Sequence, residues 1–241
     1  MSQLDAVTRP FLRRMLPVRV RRGIFNLRER QQAGADWTRL AHVFPELQNY
    51  GALAEPARKD LHAMHQRYIK EVSIPSMAIS IELATFLMVL CRLFRPRRIL
   101  DLGSGFSTAV FLQYAETEGT NVNLCSVDDS EQWLLRTRRF LESVGRFPMR
   151  LLTLQEFRLE EDERFDLVLH DLGSMETRLA TLPDALGRLQ QGGLAVLDDM
   201  HKQPYSAAAR GIINQHLLNL LSLRAVTLDQ IRRYAMLALS R

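Results

Sequence analysis

The chain has little cysteine, few aromatic residues and no long apolar run. Only Cys91 and Cys125 occur among 241 residues, with no Cys-x-x-Cys spacing. That argues against a disulfide framework and implies buried thiols in a reducing, cytoplasmic compartment. No apolar stretch approaches the roughly 18 residues that a membrane span requires, and the first residues lack the uninterrupted apolar core and small-residue cleavage site of a secretory signal. There is no internal repeat and no low-complexity tract. What remains is a chain with 46% hydrophobic and 24% charged residues, long enough for one sizeable α/β domain with an appendage.

Acidic residues are scarce at one end. Residues 1–30 hold eight arginines against Asp5 and Glu29, a surplus of six, whereas the whole chain carries a net charge of +5, so the remaining 211 residues sum to −1. Basicity therefore belongs to an N-terminal arm, residues 1–33, which Pro10 and Pro17 break into short pieces. Such an arm suits docking to a partner or a second copy of the chain, contact with an anionic membrane surface or nucleic acid, or targeting. A homodimer is the favoured assembly. The nearly neutral remainder argues against nucleic acid as the main partner.

Residues 34–71 read as a helical extension, with helices from Asp36 and from Glu55-Pro56. His62 and His65 share a helix face but have no further ligand nearby, so a metal pair there is disfavoured. Residues 72–241 read as the main domain. An apolar helix covers residues 76–94, and strands "RILDL", "VNLCSVD", "RLLTL", "FDLVLHD" and "LAVLDD" then alternate with helices over 106–117, 130–144 and 175–190. Gly192-Gly193 fits a left-handed helix end. A helix over residues 207–223, a strand near "RAVTL" and a last strand "YAMLALS" complete the chain. The expected fold is a doubly wound, mostly parallel, Rossmann-like α/β sheet with a closing antiparallel edge strand and a helical N-terminal extension.

The first strand turns into its helix through "DLGSGFST", residues 101–108. Gly103 and Gly105 let backbone approach a ligand, and the following helix start offers N–H groups. A dinucleotide fingerprint needs a third glycine where Thr108 stands, and Asp101 would repel a pyrophosphate. An acid there suits a cation. Asp128 ends the second strand, where a carboxylate can accept two hydrogen bonds from ribose hydroxyls. Asp129 is a candidate cofactor contact whose favoured reading is a cap of the following helix alongside Ser130, and Trp133 either flanks a base or packs in the core.

Strand, acid, x, Gly, x, Gly resembles the first motif of class I S-adenosylmethionine (SAM) methyltransferases. The resemblance implies that Asp101 faces the ammonium of the methionine part, while Gly103, Ser104, Gly105, Ser107 and Thr108 wrap its backbone. The stretch "SIELATFLMVL" is similar to a helix of the caffeoyl-CoA and catechol O-methyltransferases, with Ser80, Glu82, Phe86 and Leu87 matching and Ala84 in place of a glycine. That likeness makes Ser80 a candidate cofactor contact and Glu82 a weaker one. It also places Gln155 or Glu156 near adenine.

Asp171, Asp198 and Asp199 stand at neighbouring strand ends, where three carboxylates repel unless something cationic joins them. In the resembled group, an Asp at the first end and an Asp-Asn pair at the second hold one divalent cation; Asp171 and Asp198 match and Asp199 stands where Asn is usual, which implies Mg2+ or Ca2+ on Asp171, Asp198 and Asp199. The sequence departs from that pattern. Gly173 replaces a second acid and Ser174 replaces a lysine. The alternative is that Asp171 borders SAM while Asp198 and Asp199 position the acceptor or a loop. Asp171, His201 and Lys202 are the candidate catalytic residues, with His201 able to take a proton and Lys202 able to attract an acidic acceptor. His170, by strand alternation, faces away and reads as structural.

The expectation is a methyltransferase that modifies a hydroxyl oxygen of a small molecule. Transfer to nitrogen or RNA, aminopropyl transfer and a non-catalytic scaffold remain as alternatives. The absence of an [DN]-P-P-[YF] motif after the fourth strand argues against methylation of nucleic-acid amines.

Overall fold

A computed structural model of the chain describes residues 18–117, 121–147, 150–159 and 163–240. The first 17 residues of the basic arm, and the docking, membrane and targeting roles expected of them, lie outside the described residues. Among those described, no helix is long and apolar enough to cross a membrane.

Among the described residues, three helices precede the sheet: α1 (Val18–Val43), α2 (Tyr50–Glu71) and α3 (Ile81–Phe94), with a 3-10 turn (Pro45–Asn49) between the first two. The first begins directly after Pro17 and runs unbroken past residues 33 and 34, so one helix joins the expected arm to the expected extension. α2 starts at Tyr50, more than a turn before Glu55, and carries Pro56 inside it. Its early start is secured by tertiary packing, since the Tyr50 ring meets Trp37 edge-on at 5.3 Å and lies 6.4 Å from Phe86. α3 is buried without interruption from Leu83 to Cys91, as a helix apolar all round must be. It ends at Arg95, in the left-handed conformation ahead of Pro96.

The sheet contains β1 (Arg98–Leu102), β2 (Asn123–Asp128), β3 (Arg150–Thr153), β4 (Phe165–His170), β5 (Leu189–Leu197), β6 (Leu218–Ser222) and β7 (Met236–Ser240). Between them lie α4 (Phe106–Thr117), α5 (Glu131–Ser143), α6 (Leu154–Leu159), α7 (Met175–Gly187), α8 (Gln203–Gln215) and the short α9 (Arg224–Thr227). The strand order is β3-β2-β1-β4-β5-β7-β6. The first five strands are parallel, and β7 pairs antiparallel with both β5 and β6. One apolar core packs α2, α3 and α4 on one face, and a second lies under α7 and α8 on the other. This is the expected doubly wound sheet with its antiparallel edge. Chain order reverses between β1 and β4, the position at which ligands enter such sheets.

Local readings fail near the closing edge. Residues 218–222, expected at the end of a helix, form β6, and "RAVTL" forms α9 rather than a strand. Pairing of Leu220 with Ala238 and Leu221 with Leu237 outweighs the helix propensity of leucine. Gly192 and Gly193 lie inside β5 and do not cap a helix; α7 has already ended at Gly187. Gly192, at φ 78°, and a register shift between Phe165 and Leu167 make this a bulge. α1 closes over the outer edge, where buried Asp36 accepts a 3.0 Å hydrogen bond from the Ser222 amide.

Candidate active site

A cavity of about 550 Å³ opens at the carboxyl ends of β1, β2, β4 and β5. Its floor is the glycine turn. Gly103 sits at φ 108°, and a Cβ there would lie 2.6 Å from the Asp171 carbonyl oxygen. Only glycine allows this approach. The Asp171 amide in turn donates to Leu102 O at 2.7 Å, so the ends of β1 and β4 are fastened together. A Cβ at Gly105 would lie 3.1 Å from the Tyr68 hydroxyl, which roofs the turn from α2.

The amides of Gly103 and Ser104 donate to Val127 O, and that of Gly105 donates to Thr108 Oγ1. The donors left for a ligand are therefore those of the first turn of α4, from Phe106 onward. Ser104 and Ser107 also line the cavity.

Asp101 and Thr108 lie beneath the turn and outside the cavity wall. Asp101 Oδ2 accepts hydrogen bonds from Thr108 Oγ1 at 2.6 Å and Ser126 Oγ at 3.0 Å, while buried Oδ1 has no hydrogen-bond partner. Burial pushes its pKa up to about 6 against the pull of those hydroxyls.

Asp128 reaches the cavity and is tethered by the Ser130 amide, which donates to its Oδ1 at 2.9 Å. Burial, with Asp129 alongside, raises its pKa to about 7. Ser130 alone caps α5, accepting from the Trp133 amide at 3.2 Å. Asp129, expected to share that role, instead lies against Gly173 across the cavity. Trp133 lines the cavity, and its Nε1 donates to Ser104 O at 2.6 Å, which fixes the indole against the glycine turn.

Four residues from the resemblance stand elsewhere. Ser80 is the N-cap of α3, accepting from the Leu83 amide at 3.1 Å, and its neighbours Ala78 and Ile79 line the cavity instead. Glu82 pairs with Arg58 at 3.0 Å beside a different groove. Gln155 is exposed and off the cavity. Glu156 forms a capping box: its Oε2 accepts from the Thr153 amide at 2.7 Å, and its own amide donates to Thr153 Oγ1 at 3.2 Å. Those bonds hold its carboxyl below the usual range.

The three acids at the ends of β4 and β5 do meet, and the cation that joins two of them belongs to the chain. Arg178, in the second turn of α7 and 6% exposed, reaches Asp171 Oδ1 through Nη2 at 2.5 Å and Asp199 Oδ2 through Nη1 at 3.1 Å. Its Nε donates to Leu172 O at 3.3 Å. Lys202 Nζ meets Asp199 Oδ2 at 2.6 Å. Burial would raise the pKa of Asp199, but the Lys202 bond and the Arg178 charge hold it below the usual range.

Asp198 makes no ion pair among the described residues, and burial beside Asp199 raises its pKa. Lys202 lines the cavity. His201 does not. Its ring lies toward Tyr234, 6.4 Å between centroids, with Nδ1 3.5 Å from Asp199 Oδ1, and burial lowers its pKa. His170 is buried against Thr181 Oγ1 at 3.0 Å, where desolvation lowers its pKa to about 3.

Divalent Mg2+ or Ca2+ needs carboxylate oxygens free to enter its shell, which waters then help to complete. Asp171 and Asp199 already point at a fixed guanidinium, and no group of three His, Cys, Asp or Glu among the described residues is arranged to hold a metal. These residues do not fit the ion that the resemblance implied. His62 is exposed, while His65 is buried on Ile79 O at 3.0 Å, so that pair does not converge either.

Sequence reasoning missed Arg178 and Arg233. Arg178 had a signal: arginine early in a helix opposes the helix dipole, and it follows closely on Asp171, one of the three acids in need of a cation. Arg233 had none. From the β6–β7 connection it is held by Asp229 at 2.7 Å and donates to the carbonyls of Pro75, Ser76 and Ala78, fastening the segment that closes one side of the cavity.

Residues 100–200 match a family model described as a methyltransferase domain. No curated protein matches the sequence. Among solved structures, cofactor-bound Rv0187 from MTB is 20% identical, with a TM-score of 0.57 over 83% of this chain and 96% of the other. The SAM complex of the O-methyltransferase TomG from Streptomyces achromogenes is 17% identical, with a TM-score of 0.53 over 76% and 89%. An O-methyltransferase from Bacillus cereus in complex with S-adenosylhomocysteine (SAH) is 16% identical, with a TM-score of 0.53 over 78% and 91%. At these identities the likeness is one of fold.

Proposed function

We propose, for a chain whose fold and whose residues 100–200 are those of a class I methyltransferase, that it transfers the methyl group of SAM to a hydroxyl oxygen of a small molecule. One observation carries this reading. A glycine turn that no Cβ could enter, the strand-end acid Asp128 and the charged edge of β4 and β5 all open onto one cavity. The SAM- and SAH-bound O-methyltransferases of similar fold support it.

The residues fit the cofactor. Ionised Asp128 can accept from two ribose hydroxyls, and Trp133, anchored to Ser104 O, offers a rigid apolar face for a base. The first-turn amides of α4 suit the carboxylate of the methionine part. Beneath the turn, the orphaned Asp101 Oδ1 adds negative charge near its ammonium. When bound, SAM supplies an electrophilic methyl on a sulfonium. The chain's task is then to hold the acceptor oxygen in line and accept its proton. Of the three acids at the ends of β4 and β5, Asp198 is the one without a contacting cation among the described residues, so it is placed to receive that proton, while Lys202 attracts an anionic acceptor. His201, turned toward Tyr234, takes no part.

Calorimetry with SAM and SAH tests the reading. We expect SAH to bind with Kd near 1 μM or tighter, about −8 kcal/mol. Failure of both ligands to bind would remove the proposal. Turnover of labelled SAM against matched hydroxyl and amine acceptors then decides oxygen against nitrogen.

A further inference from the structure

We propose that Arg178 is the resident cation of the acceptor site, standing where the resembled enzymes place a divalent metal and making transfer independent of one. The inference rests on the methyltransferase reading but depends on different atoms.

Two carboxylates from adjacent strand ends are gripped by one planar guanidinium, with Nη2 on Asp171 and Nη1 near Asp199. Arginine suits this role because its fork is rigid and its charge is permanent. The local sequence builds the arrangement. Ser174 caps α7 by accepting from the Thr177 amide at 3.1 Å, and the Arg178 amide donates to Ser174 O at 2.9 Å, which sets Arg178 one turn inside the helix and facing Asp171. Ser174 stands where the resembled enzymes carry a lysine. Gly173, in place of their second acid, leaves room for Asp129. The serine departure thus belongs to the arrangement that admits the arginine.

The guanidinium also brings its charge to the cavity wall. Nη1 lies 3.1 Å from Asp199 Oδ2 but is buried without an aligned hydrogen-bond acceptor, and Arg178 lines the cavity. The acceptor class this favours has a hydroxyl of partly anionic character, or one next to a carboxylate, because the charges of Arg178 and Lys202, both drawn to Asp199, lie at the cavity wall.

The test titrates Mn2+, an oxygen-preferring ion, into wild type, Arg178→Met and Arg178→Lys, and follows free Mn2+ by electron paramagnetic resonance. SAH affinity is measured on the same samples with and without chelator. Wild type should bind no Mn2+ at submillimolar concentrations, and its SAH affinity should ignore chelator. Arg178→Met leaves three acids without the guanidinium and should gain Mn2+ affinity by at least about tenfold; Arg178→Lys, still cationic, should not. Micromolar Mn2+ binding by wild type overturns the proposal, and so does a folded, SAH-binding Arg178→Met that gains nothing. If Arg178→Met does not fold, the wild-type titration decides alone. Loss of SAH binding by wild type would instead strike the methyltransferase reading and leave the Mn2+ result standing.

Discussion

The Asp129 carboxylate occupies the space that a Cβ at Gly173 would need, with its carboxyl carbon 3.0 Å from that position. The two residues belong to loops after different strands, β2 and β4, and their contact sets the width of the cavity between them. Gly173 also sits at φ 51°. Gly173→Ala should therefore destabilise the fold by about 1–3 kcal/mol and weaken SAH binding, as read by denaturant unfolding and calorimetry. An alanine variant with unchanged stability and affinity would show that the loops are not coupled.

Asp128 is expected to hold ribose in its ionised form. Asp128→Ala should weaken SAH binding by roughly 1.5–3 kcal/mol for each charged hydrogen bond lost. With its pKa raised to about 7 in the free protein, SAH affinity should fall as pH drops through 7 and level off above it. Asp128→Asn should flatten that profile. Calorimetry between pH 6 and about 8.5, around the range where this carboxyl titrates, checks both.

Asp101 has a folded-state pKa of about 6 against an ordinary 3.8. The folded protein thus binds the proton more tightly than the unfolded chain, so this group favours folding at low pH. Its contribution declines as pH rises from about 4 to about 6, by an amount on the order of 3 kcal/mol. Asp101→Asn should remove that decline. Comparing urea unfolding of the two proteins at several pH values tests the sign, since a carboxylate stabilised by its hydroxyl neighbours would give the opposite slope.

Glu156 separates a helix cap from a cofactor contact. Its bonds to the Thr153 backbone and hydroxyl predict that Glu156→Ala lowers the melting temperature slightly and leaves SAH affinity unchanged. A loss of affinity would return this residue to the adenine side of the site.

The sheet was legible because its signals are local. Each central strand is a short apolar run bounded by a turn, and β1, β2, β4 and β5 each deliver an acid at or just beyond their ends: Asp101, Asp128, Asp171 and Asp198. The closing edge was less so. "LNLLS" satisfies a helix or a strand equally, and only its pairing with β7 selects the strand. Ser80 and Glu156 show the same ambiguity at single residues. Each is polar and stands near the start of a helix, and whether it meets a ligand or an amide depends on a separation that one-dimensional spacing does not contain.

From the sequence alone came the alternation of strand and helix, the glycine turn and the gathering of three carboxylates at one edge, because backbone geometry and side-chain period translate these directly into position. Which cation answers the carboxylates was decided by tertiary structure. Arg178 is distant from Asp199 along the chain and reaches it only when α7 packs beside the ends of β4 and β5, bringing the opposite charges together away from water.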